Sequence, residues 1–139
     1  MPDLRRSGFQ KWTVAFGFAL VFHIDFGNAD GVDWSKAETV SVRLVDDRFV
    51  PDKLRFRTGT PYRLHLENAG SHMHEFTAPE FLKAVTVKNR EVLFGEGHEM
   101  VLQPNEAKDL YFVADKAGAY PLTCADHDWD GMIGEITIE

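Results

Sequence analysis

Over most of the chain, apolar positions recur every second residue. In "TVSVRL" Val40, Val42 and Leu44 alternate with polar neighbours, and "KLRFR" repeats the pattern with Leu54 and Phe56. Tyr62, Leu64 and Leu66 follow in "YRLHLEN", and Leu110, Phe112 and Ala114 in "DLYFVAD". "AYPLTC" offers Tyr120, Leu122 and Cys124; "GEITIE" offers Ile136 and Ile138. A period of two gives a strand one apolar face, the mark of short half-buried strands. "VPDK", "TGTP", "NAGS", "QPNE" and "DKAGAY" supply the turns between them. The pattern predicts about six or seven strands in an all-β sandwich or closed barrel. Only "APEFLKAV" reads as helical, with Pro79 in its first turn.

The first thirty residues break the pattern. Arg5, Arg6 and Lys11 precede an apolar run of 13 residues from Trp12 to Ile24, and "GNAD" then places small residues at Gly27 and Ala29. This order is that of a secretory signal peptide over residues 1–29, cleaved after Ala29, so the chain is expected in the periplasm. The run is short of the ~20 residues a membrane span needs, which argues against stable membrane insertion. The pair Arg5-Arg6 leaves the general secretory and twin-arginine routes both open. Residues 30–139 are the size of one domain with its own core, expected as a monomer.

Charge and cysteine count narrow the partners. Removing residues 1–29 takes away three basic and two acidic groups, leaving a formal −8 where the whole chain has −7. Nucleic acid and anionic membrane surfaces are poor partners for that balance; a basic protein patch is a better one. The single cysteine excludes an internal disulfide, and an unpaired thiol in an exported protein needs a chemical reason.

"CADHDWDGM" supplies one. Cys124, His127 and Met132 stand in the spacing C-x2-H-x4-M, from a strand end into a loop carrying Gly131. Thiolate, imidazole and thioether form a soft donor set, and copper values it most among common biological metals. A buried structural cysteine leaves the other two donors unexplained. A Cys–His nucleophile requires no methionine, and zinc gains nothing from one. The remaining donor is a second histidine, and "NAGSHMHEF" holds two competitors, His72 and His74. His74 is preferred, because "HEF" continues into an apolar strand and directs the ring toward the core end; His72 is then an accessory neighbour.

These two segments, with "GAYPLTCADHDWDGMIGEITIE" and the upstream "RFVPDKLRFRTGTPYRLHLEN", resemble the cupredoxins, the family of plastocyanin, amicyanin and pseudoazurin. Gly118, Tyr120, Cys124, His127, Met132 and Gly134 fall on that family's G-x-Y-x-x-x-C-x-x-H-x-x-x-x-M-x-G pattern. The resemblance implies a Greek-key β-sandwich and one type 1 copper ion, held in a plane by His74, Cys124 and His127 with Met132 axial. It also implies single-electron transfer between Cu(II) and Cu(I) with a redox partner protein, rather than an enzyme. A copper-tolerance or copper-trafficking role, with a copper-handling partner, is the alternative.

The sequence departs from the family in three places. Glu75 stands where many members have an asparagine that ties the two ligand loops together. Asp126, Asp128 and Asp130 surround His127 where apolar residues or proline are usual, and they serve either docking or solubility. His72 and Met73 are extra donors beside His74. Elsewhere, His98 and Met100 with Glu96 or Glu99 offer a second copper-capturing loop, although a polar loop entering a strand is the simpler reading. His65 reads as a polar-face strand residue.

Overall fold

The computed structural model describes residues 31–139; the expected signal segment 1–29, with its cleavage point after Ala29, lies outside the described residues. Ten strands follow in chain order: β1 (Glu38–Val45), β2 (Arg48–Val50), β3 (Lys53–Phe56), β4 (Pro61–Asn68), β5 (His74–Thr77), β6 (Val85–Val87), β7 (Glu99–Leu102), β8 (Ala107–Ala114), β9 (Gly118–Thr123) and β10 (Ile133–Ile138). They form two five-stranded sheets, ordered β2-β1-β4-β8-β6 and β3-β10-β9-β5-β7. Most neighbours are antiparallel, but β1 pairs in parallel with β4 and β3 with β10. The chain therefore crosses repeatedly between sheets, as a Greek-key β-sandwich requires.

Every period-two run becomes a strand with its apolar face inward. Val42, Leu44, Tyr62, Leu64, Leu66, Leu110 and Phe112 line one inner face; Leu54, Phe56, Phe76, Met100, Leu102, Leu122, Ile136 and Ile138 line the other. At the centre Phe56 packs against Tyr62, Phe112 and Phe81 with ring centroids 4.8, 5.1 and 5.7 Å apart. Such aromatic contacts add to the area they bury. Phe81 comes from the one α-helix among the described residues, α1 (Pro79–Lys83), which has Pro79 in its first turn and ends where β6 begins.

The period-two runs become six of these ten strands; β5 and β7, four residues each, are the strands that "HEF" and Met100 lead into, and β2 and β6, three residues each, are too short to show alternation. Met100 is wholly buried in β7 opposite Phe76, which removes it from any copper-capturing loop with His98. His65 does sit on a polar strand face, where its Nδ1 lies 2.7 Å from Asp109 in β8. Among the described residues no helix is long and apolar enough to cross a membrane.

Candidate metal centre

At one end of the sandwich, the segment joining β4 to β5 meets the segment joining β9 to β10. Asn68, fully buried at the last position of β4, organises the first. Its Nδ2 donates to the carbonyls of His72 (2.8 Å) and Leu102 (2.9 Å), and its Oδ1 accepts the Gly70 N–H (2.9 Å). The Ala69 N–H adds a bond to the Leu44 carbonyl at 2.8 Å. This short segment is thus fixed to three strands before His74 opens β5. Strand alternation then puts His74 on the same face as Phe76, buried, whereas His72 lies outside, 72% exposed.

The second segment closes on itself. The Cys124 N–H donates to the Met132 carbonyl (3.0 Å), and the His127 carbonyl accepts from the Met132 N–H (3.1 Å). A single turn over Asp128–Asp130 ends at Gly131, whose φ of 90° lies in the left-handed region that favours glycine. That reversal returns the chain to the core, where Met132 is wholly buried. Gly134 keeps this end tight, since a Cβ there would lie 2.5 Å from the Asp52 carbonyl oxygen.

The two segments bring His74, Cys124 and His127 together, with their donor atoms all within 4.8 Å of one another. Cys124 Sγ lies 3.4 Å from His127 Nδ1 and 3.9 Å from His74 Nδ1. Both imidazoles therefore turn the same type of nitrogen toward one sulfur. The thiol is completely buried and accepts the Glu75 N–H at 3.3 Å. Burial pushes its pKa up, more than neighbouring backbone N–H groups pull it down. Burial likewise lowers the pKa of His74, against the opposing pull of Asp46, so the ring is neutral and free to ligate.

Glu75 replaces the asparagine of the family pattern and still bridges the two segments. Its Oε2 accepts the Asp126 N–H at 3.2 Å. Burial, with help from the charges of Asp126 and Glu99, raises this carboxyl's pKa. His127 is half-buried and forms part of the surface, flanked by Trp129 and His72 with ring centroids 6.3 and 6.4 Å away. Trp129 is 73% exposed. Asp126, Asp128 and Asp130 are exposed beside it, and none pairs with a lysine or arginine among the described residues.

Asp46 enters the site without any local signal in the sequence. It belongs to the two-residue turn joining β1 to β2, and its Oδ1 lies 3.5 Å from His74 Nε2. Only the folded chain brings it beside His74.

The donor set of one thiol, two imidazoles and a buried thioether in the same loop fits copper, which is bound by such sets in blue-copper sites. Comparison with known proteins agrees with the architecture. The profile of the Cupredoxin-like domain matches residues 14–138. Auracyanin B superposes with a TM-score of 0.57 at 21% identity, over 75% of this chain and 90% of that one. Auracyanin from the photosynthetic bacterium Roseiflexus castenholzii gives 0.56 at 17% identity, over 74% and 98%. The metal binding domain of the Streptococcus pneumoniae D39 Cu(I) exporting P-type ATPase CopA gives 0.50 at 14%, over 75% and 87%. No curated protein matches the chain by sequence. The profile spans nearly the whole sequence, and the chain belongs to the cupredoxin-like domain family.

Proposed function

We propose that residues 30–139 form a single-copper electron carrier, exported to the periplasm by the segment 1–29, with His74, Cys124 and His127 as ligands and Met132 as the fourth donor. The observation that carries this reading is the convergence of three donor atoms from two separate segments on one buried point. Copper bound there supplies a one-electron couple between Cu(II) and Cu(I). The chain's own part is to hold the donors still. The Asn68 hydrogen bonds fix the first segment, and the Cys124–Met132–His127 backbone bonds fix the second. Donors that are fixed before the electron arrives have little to rearrange when it does.

The surroundings divide the labour further. Cys124 and Met132 are sealed from water, whereas His127 reaches the surface beside Trp129 and is the contact point for a redox partner. The exposed carboxylates around it favour a partner with a basic docking patch. In this reading the copper centre exchanges single electrons with a partner protein, which is the work of a carrier rather than of an enzyme. A copper-handling role is the second reading, favoured by the exposed His72 near His127.

Voltammetry combined with metal analysis separates the two. A carrier binds one copper per chain and gives a reversible one-electron wave with rapid self-exchange. A second bound copper, lost in His72→Ala, with slow exchange would replace it by the handling role.

A further inference from the structure

We propose that Asp46 is a positioning residue for this centre: its carboxylate takes the Nε2–H of His74 and so keeps Nδ1 turned toward Cys124. The inference rests on the copper reading above and deepens it. His74 Nε2 is fully buried and has no hydrogen-bond partner among the described residues. Asp46 Oδ1 faces it at 3.5 Å, slightly too long for a well-formed bond. When Nδ1 is a ligand, Nε2 must carry the ring proton, and that N–H requires an acceptor in a buried place. The carboxylate is the group on hand.

Three features hold the pair in register. The turn between β1 and β2 pairs Val45 with Arg48, and Asp47 adopts a left-handed conformation at φ 63°, which fixes where Asp46 projects. Ser71 donates its backbone N–H to Asp46 Oδ1 at 2.9 Å and its hydroxyl to Oδ2 at 3.2 Å. Gly70 leaves the space between them open. A Cβ at that position would lie 2.5 Å from Asp46 Oδ1 and 2.8 Å from His74 Nε2. A residue with a side chain there would separate carboxylate from ring, so the glycine belongs to the same device. A carboxylate behind a ligating imidazole fixes its tautomer and strengthens it as a donor. That favours Cu(II) over Cu(I) and lowers the reduction potential.

Asp46→Ala tests this directly, because it removes the acceptor that faces His74 Nε2, and Asp46→Asn, which keeps one carbonyl oxygen but loses the charge, isolates the part due to charge. Cu(II) affinity should fall about 10–100-fold, as for other outer partners of metal ligands. Cu(I) affinity should fall less, so the potential rises, by about 59 mV for each tenfold difference. Gly70→Ala, which retains both groups but wedges them apart, should shift the potential the same way. Nitrogen-15 NMR of the metal-free protein supplies a readout independent of copper: His74 is held as the Nε2–H tautomer in the wild type and becomes a tautomer mixture in Asp46→Ala. Unchanged potential or an unmoved tautomer in Asp46→Ala overturns the proposal. If the wild type forms no thiolate–copper absorption band, the copper reading itself fails, and the tautomer alone decides what Asp46 does.

Discussion

Cys124 and His74 are prepared for a metal in opposite electrostatic ways. Burial keeps Cys124 a thiol, so copper uptake must expel its proton. Copper affinity below the thiol's pKa is therefore predicted to rise about tenfold per pH unit from this group alone, measurable by competition with a chelator of known affinity. His74 has the reverse bias, with a pKa below 6.5 in the fold because burial penalises its cation. As pH falls below about 6.5, the unfolded chain gains a proton that the folded chain refuses, so the metal-free protein loses stability. Urea denaturation from about pH 7.5 to 5 should show this slope in the wild type and a flatter one in His74→Gln. Glu75 acts oppositely: its raised pKa makes the folded state the better proton binder just above 4.5, so its contribution fades as pH rises there. Three of the proposed donors, Cys124, His127 and Met132, stand out in the sequence because they share one short segment. The preference for His74 over His72 rests on its place at the start of an apolar strand, since two residues of the same parity share a face and alternation alone does not separate them. Asp46 was not legible, because the turn that carries it meets His74 only through the pairing of β1 with β4.

Among the elements, the end of β4 bears most on the site. Asn68 joins β4, β7 and the His72 backbone through its side chain alone. Truncation leaves buried carbonyls and an N–H unpaired at about 1–3 kcal/mol for the group removed. Asn68→Ala is therefore predicted to destabilise the metal-free protein by about 2–3 kcal/mol in urea denaturation, and to weaken copper binding as well. A variant with wild-type stability would show that the segment is held by other bonds. The long strands were legible because each places several apolar residues at alternate positions. The shorter β2 and β6 owe their existence to ladder partners instead, β2 to β1 and β6 to β8. Pairing of that kind is a property of the assembled sheet, and no local pattern records it.

For the whole molecule, the distribution of charge decides which partners approach. The carboxylates of Asp126, Asp128 and Asp130 stand around the half-buried His127 and the exposed Trp129, without a lysine or arginine partner among the described residues. Electron exchange of the copper-loaded protein with a cationic cobalt complex should be fast at low salt and slow as ionic strength rises. Exchange with an anionic iron complex should show the opposite trend, and stopped-flow rates at several salt concentrations would reveal either. Equal salt dependence for both reagents would remove the docking role of the aspartates. Every such statement depends on a copper–thiolate centre in this protein. The direct measurement is the visible spectrum after addition of Cu(II) to the wild type and to Cys124→Ala. An intense thiolate-to-copper band in the wild type, absent from the variant, is the predicted result. A wild type that binds copper without that band, or a band that survives in Cys124→Ala, contradicts it.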